Sequence, residues 1–167
     1  MNNLAENCEL VDKPRSMTKL DAAYHQLEGA IVSLFLGNWA ASITLAAAAE
    51  GILPPKTGVD DLFQTAKKYG PAMYQKTETE IGDLLNEKKH WLKHHQTSRP
   101  DYKSSQDICQ VDAVVMVVRA LTRLNAHEMP IGANEILSER ILEFQKWFKQ
   151  NFPDWLSSSG SKAEKKL

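Results

Sequence analysis

The chain has little that would commit it to a chemistry at first sight. It holds two cysteines in 167 residues, Cys8 and Cys109, too far apart to outline a disulfide framework and without any CxxC spacing for zinc. A reducing, cytoplasmic setting is the expectation that follows. There is no glycine-rich phosphate loop, no GxSxG elbow, no HExxH and no paired-carboxylate site. An excess of one charge is lacking too: 20 Lys and Arg stand against 21 Asp and Glu, a net charge of −1. That balance excludes a strongly basic nucleic-acid protein and an acidic tail protein, while leaving room for a local basic patch. Residues 1–15 lack the apolar segment of a secretory signal, and no internal repeat or strand–turn–strand pattern is visible. Residues 29–49 carry no formal charge, a length that could nominally span a bilayer. Gly37-Asn38 interrupts that run, Ser33, Ser42 and Thr44 dilute it, and alanine contributes little to insertion. Buried helices of a bundle, with no membrane span, are expected instead.

What is present is helical. At 43% hydrophobic and 25% charged, the chain suits one globular domain. The spacing predicts a flexible segment over residues 1–15, an all-α bundle of about five to six helices over 16–155, and a disordered tail over 156–167. Thr18 and Asp21 form a capping-box pattern, after which Leu20, Tyr24, Leu27, Ile31 and Leu34 mark one face up to Gly37. Asn38 caps a second helix that stops at Pro54-Pro55. That helix contains residues 43–53, ITLAAAAEGIL, small residues of high helix propensity around one charge. Ile43, Ala46, Ala47, Glu50 and Leu53 share a face at i, i+3, i+4 and i+7, so Glu50 is expected inside and in need of a partner. Asp60 or Asp61 begins a short helix through Lys68, which Gly70-Pro71 should close. Thr77 and Glu80 cap the next, running to about His95 with Ile81, Leu84, Leu85, Trp91 and Leu92 as its apolar stripe. Residues 97–106 form a polar loop. Residues 107–125 contain AVVMVV, β-branched enough for a strand, but the unbroken length and the i, i+4 pair Arg119 and Arg123 favour a helix. Asn134 caps a last helix carrying Ile136, Ile141, Phe144, Trp147 and Phe148 inward.

The candidate chemistry lies in residues 86–95, NEKKHWLKHH, the densest cationic and titratable cluster and the expected source of a partner for Glu50. Helical angles place Lys88 and His95 within the apolar side, with His90 and His94 at the edge of the opposite one. Three readings compete. The cluster can be a solvated helix end, with Lys88, Lys89, Lys93 and the histidines complementing the macrodipole. It can be a metal site on His90 and His94 with Glu87, although no further ligand is in view, so no metal and no cofactor are assigned. Or it can perform acid–base chemistry or bind an anion, since histidine titrates near neutrality and the lysines would hold a phosphate. Arg119 and Arg123 either reach the same cleft or pair with acids on neighbouring helices. Trp39, Trp91, Trp147 and Trp155 suit core or rim positions better than a stacking platform, as no basic residues interleave with them on one face.

The segments LDAAYHQLEGAIVSLFLGNWAASITLAAAAEGIL and EKKHWLKHH resemble a family of small bacterial helical proteins in which a TLA-small-AAE-x-IL helix precedes a Phe-x-Lys-His segment. That family is in turn similar to the HEPN superfamily of helical domains. The resemblance covers residues 20–53 closely and 81–95 in outline, with Phe144 and Trp147 matching a C-terminal F-x-x-W. It implies a HEPN-like bundle, often a homodimer, accompanied by a nucleotidyltransferase or antitoxin partner, in a defence or stress context. The superfamily's signature is an arginine, four to six residues and a histidine. Lys89, His90 and His94 match its spacing, with lysine in the arginine position. The resemblance would make His94 the general acid or base, Lys89 the phosphate-binding cation and His90 the polar neighbour, with Lys93, Lys88 and Glu50 around them. Lysine is a point charge and lacks the bidentate fork of arginine, so a degenerate, metal-independent ribonuclease site that binds RNA is one expectation. A non-enzymatic interaction or oligomerisation module, in which the basic cluster is structural and Glu50 a buried counter-ion, is the other.

Overall fold

The computed structural model describes residues 16–93, 104–127 and 139–153. Their regular structure is entirely helical: α1 Lys19–Phe35, α2 Trp39–Ile52, α3 Leu62–Tyr74, α4 Glu78–Lys93, α5 Gln110–Ala126 and α6 Glu139–Asn151.

The helix starts follow from local chemistry. Before α1 the Thr18 hydroxyl accepts from the Asp21 N–H at 3.1 Å, and the Asp21 carboxylate accepts from the Thr18 N–H at 2.9 Å. Thr77 and Glu80 repeat this reciprocal arrangement before α4, at 3.2 and 2.7 Å. Asn38 caps α2 by accepting from the Ala41 N–H at 3.3 Å. Gly37, at φ 75°, supplies the left-handed residue that lets α1 turn into α2. At the far end of α2, Leu53 is already extended, as expected of a residue before proline. Helix α5 starts three residues later than expected. The Asp112 carboxylate accepts from the Cys109 N–H at 2.9 Å and from Sγ at 3.2 Å, fixing the first turn there.

One expected boundary is wrong. Gly70-Pro71 does not close α3, which continues to Tyr74 and ends only at Gln75 in the left-handed conformation. The reason is tertiary. Gly70 is buried against Ile81 of α4, where an added Cβ would lie 3.2–3.3 Å from three Ile81 side-chain atoms. The glycine serves close approach of two helices and does not mark a stop.

Helices α1 and α2 form the most extensive pairing, and α5 packs across both. Helix α6 lies on α1, α3 pairs with α4, and these two meet the rest through α5 and α2 respectively. The core is Leu27, Ile31 and Leu34 of α1, Ile43 and the alanines of α2, Val114, Val117 and Leu124 of α5, and Ile141 and Phe144 of α6. Alanines at 46, 47 and 49 keep α2 slim enough to be enclosed from several sides, and Leu45 fits over Gly29 of α1. Trp39 and Trp147 lie partly buried against this core, and Trp147 meets Phe35 edge-on at 5.6 Å. The AVVMVV segment is helical. No helix among the described residues is long and apolar enough to cross a membrane. The cap expected at Asn134, the inward Ile136 and the terminal segments fall outside the described residues.

Candidate functional site

The α2 periodicity that placed Glu50 on the packed face is met by the structure: the residue is 5% exposed. A carboxylate so enclosed needs compensation, and its principal partner is Arg119 of α5. The guanidinium grips it with two bonds, Nε to Oε1 at 3.0 Å and Nη2 to Oε2 at 2.9 Å. Arg119 is itself 2% exposed. Its remaining donors reach α4, where Nη1 donates to the Leu85 carbonyl at 2.6 Å and Nη2 to Asn86 Oδ1 at 3.1 Å. The face of the guanidinium stacks 4.4 Å from the Phe63 ring of α3. One side chain of α5 thus ties α2, α3 and α4 together.

One turn further along α5, Arg123 does the same for the start of α3. Its Nε donates to Asp61 Oδ2, and Nη1 donates to the Leu53 carbonyl at the end of α2 at 3.1 Å. Asp61 also accepts from the Gln64 N–H at 2.9 Å as the α3 cap. The Thr122 hydroxyl accepts from the Leu62 N–H at 3.2 Å beside it. Of the two readings open for Arg119 and Arg123, pairing with acids on neighbouring elements is the one observed.

The lysine-and-histidine cluster is distributed differently from the expectation. The wheel put Lys88 within the apolar stripe, yet the inward face of α4 runs through Ile81, Gly82, Leu85, Asn86 and Lys89, and Leu84 is 59% exposed. The grip of Arg119 on Leu85 and Asn86 and the fit of Ile81 over Gly70 set this rotation. Lys89 therefore points to the core, its Nζ 3.4 Å from Glu50 Oε2 and its side chain 19% exposed. Burial pushes the Lys89 ammonium below its ordinary range; Glu50 opposes the shift, while Arg119 and Lys93 reinforce it. Burial likewise lowers Arg119, again against Glu50. Lys88 is half-buried near Glu87, Ser105, Gln106 and Asp107, where the Gln106 amide donates to Glu87 at 2.9 Å. His90 and Lys93 are exposed in the last turn of α4. His94 and His95 lie outside the described residues. Among the described residues, no group of three or more His, Cys, Asp or Glu side chains is placed to hold a metal ion.

The structure thus joins Glu50 and Lys89, while His90 is exposed in the last turn of α4. Whereas the sequence pattern points to residues 86–95 as the source of a partner for Glu50, Arg119 organises the junction. The available signal was its position, since Asp112, Met116, Arg119 and Arg123 share one helical face inside an otherwise apolar segment.

Compared with models of protein families, with curated proteins and with solved structures, the chain gives no match.

Proposed function

We propose that this chain is a HEPN-like helical module that works by binding a partner rather than by cleaving RNA. The observation that carries the reading is the engagement of Lys89, the residue in the position of the signature arginine. Its ammonium faces inward onto Glu50, whose two oxygens are already gripped by Arg119. A cation meant to stabilise a phosphoryl transition state must face the substrate, with its charge uncommitted at the moment of reaction. Lys89 instead completes a structural ion cluster. Exposed apolar side chains at the end of α3, Tyr69, Met73 and Tyr74, are consistent with an interaction surface, and a homodimer or a protein partner of the antitoxin kind would use such residues.

A second reading is favoured by the exposed pair His90 and Lys93, which would contact RNA phosphates without chemistry. RNA cleavage by the purified protein, with and without EDTA and beside His94→Ala, separates these possibilities. The binding-module reading expects no cleavage. Chelator-resistant cleavage lost in His94→Ala would overturn it in favour of a HEPN-type nuclease. RNA affinity that falls in the His90→Ala/Lys93→Ala variant, in the absence of cleavage, would identify RNA as the partner; unchanged or absent affinity would leave a protein partner.

A further inference from the structure

The hairpin of α3 and α4 is divided by charge. Residues 62–76, α3 and the turn after it, contain Lys67, Lys68 and Lys76 and no acid, whereas residues 77–87 contain Glu78, Glu80, Asp83 and Glu87 and no base. The two stretches lie side by side, because the left-handed Gln75 folds α4 back along α3 and Gly70 admits Ile81. All of these charged side chains except Lys67 and Glu87 are exposed. Two of the lysines are bridged within the chain, Lys67 to Glu78 at 3.1 Å and Lys68 to Asp60 at 3.0 Å. Bridges between solvent-facing groups contribute little, and they leave a basic helix beside an acidic one. Apolar side chains accompany the charges. Tyr69, Met73 and Tyr74 of α3 and Leu84 of α4 are each more than half exposed, and Tyr69 and Met73 share a face at i, i+4. The hairpin meets the rest of the bundle through α5 and α2, so among the described residues nothing covers these four. They are neighbours in one supersecondary unit and not singly scattered surface residues.

We infer that this face docks a second copy of the chain, the α3 of each copy lying along the α4 of the other about a two-fold axis. The inference rests on the reading of the chain as a binding module and names the partner of that module. In an isologous pair every contact is made twice, so the lysines of each α3 meet the acids of the facing α4 on both sides of the axis. The alternative register, α3 on α3, sets lysine against lysine and acid against acid, and like-charge repulsion disfavours it. Charge thus selects the register, while Tyr69, Met73, Tyr74 and Leu84 supply the apolar area to be buried; tyrosine and methionine are residues that interfaces favour.

Sedimentation velocity of the purified full chain over a concentration series, at low and high salt, reads the association. The parent is expected to dimerise reversibly, with a dissociation constant that rises as salt is added. Lys68→Glu/Lys76→Glu on the α3 side and Asp83→Lys on α4 should each weaken self-association by at least about tenfold while keeping the helical circular dichroism of the parent, since each reversal counts twice in a symmetric pair. Mixed in equal amounts, the two variants should recover the parent's affinity to within a few-fold, because the reversed helices then face each other and so do the unreversed ones. Met73→Ser, a change at an exposed position, should weaken the dimer at both salt concentrations. A parent that stays monomeric across the series, a dimer indifferent to the charge reversals or to Met73→Ser, or a mixture that fails to recover would overturn the inference. A monomer that neither cleaves nor binds RNA would leave the binding-module reading standing with a different protein on this face. Chelator-resistant cleavage lost in His94→Ala would overturn that reading whatever the state of association.

Discussion

Replacing Glu50 by alanine removes the carboxylate that Arg119 grips. In the native chain Arg119 makes four hydrogen bonds, two of them to Glu50, and is 2% exposed. After the substitution the Leu85 carbonyl, the Asn86 amide and the Phe63 face still hold the guanidinium, but no carboxylate among the described residues remains bonded to it; Asp61, whose charge also favours the guanidinium, is held by Arg123. Hydrogen bonds to charged groups contribute about 1.5–3 kcal/mol each. Two of them lost, with partial relaxation, agrees with the roughly 3–5 kcal/mol typical of a buried pair stripped of one partner. Lys89 adds less to the loss than Arg119, because it makes a single, longer contact of 3.4 Å with a side chain that is partly exposed. For a chain of this size each kcal/mol moves Tm by about 2–4 °C, so a fall on the order of 6–20 °C is expected. Urea unfolding followed by helical circular dichroism measures the same quantity, with an unchanged m-value showing that the comparison is between like states. The Arg119→Ala variant and the double variant complete the cycle, and a coupling of at least about 1 kcal/mol should emerge. A loss below about 1 kcal/mol for Glu50→Ala, or additive single effects, would refute the reading of Glu50 as an obligatory counter-ion.

Three further outcomes follow from other parts of the molecule. Asp61→Ala should lower stability by about 3–5 kcal/mol, since it strands buried Arg123 and uncaps α3, while Asp61→Asn, which keeps the cap, should cost less; paired urea titrations decide this. Gly70→Ala gains about 1 kcal/mol of helix propensity but presses a methyl into Ile81 at a cost of about 1–3 kcal/mol, so a net loss of up to about 2 kcal/mol is expected. Combining it with Ile81→Val should recover stability, and a Gly70→Ala chain that melts higher than the parent would contradict the close approach. Lys89 carries the pH dependence. Its folded value lies below its unfolded one, so between the two the unfolded chain binds more protons and stability rises with pH. The destabilisation is fully present below the folded value and is relieved as pH climbs toward the ordinary lysine value of 10.5. Lys89→Met should flatten that alkaline slope, and an identical slope in both proteins would assign it to another group.

The elements that were legible from the residues are those fixed by local chemistry. The caps at Thr18, Asn38 and Thr77 are decided within four residues, so pattern and structure coincide there. The small-residue face of α2, with Glu50 inside, follows from helical period alone. What sequence could not supply was non-local. Gly70-Pro71 has the composition of a stop, and only the fit of Ile81 explains why the helix runs on. The wheel weighed Leu84 by its hydrophobicity, whereas the actual rotation of α4 is set by Arg119 reaching Leu85 and Asn86 from another helix. For Glu50, the sequence points to the densest cationic segment as the supplier. Density of charge along the chain is not proximity in space, and the better partner was a single arginine 69 positions away.

The way α4 is held bears directly on the binding reading. Ile81 against Gly70, Leu85 and Asn86 under Arg119, and Lys89 on Glu50 anchor one face of the helix at three successive levels. His90 and Lys93 are exposed immediately beyond the last anchor, in the final turn of the same helix. Side chains on an anchored helix lose less conformational freedom on binding than the same side chains on a loop, so more of their interaction energy appears as affinity. The ion cluster therefore can matter to binding without touching the partner. Substitutions at Glu50 or Arg119 that leave the chain folded should weaken any contact made by His90 and Lys93, through a looser α4 and not through lost charge on the surface. That distinguishes a positioning role from a catalytic one: a catalytic Lys89 would fail in chemistry with binding intact, whereas a structural Lys89 has no chemistry to lose.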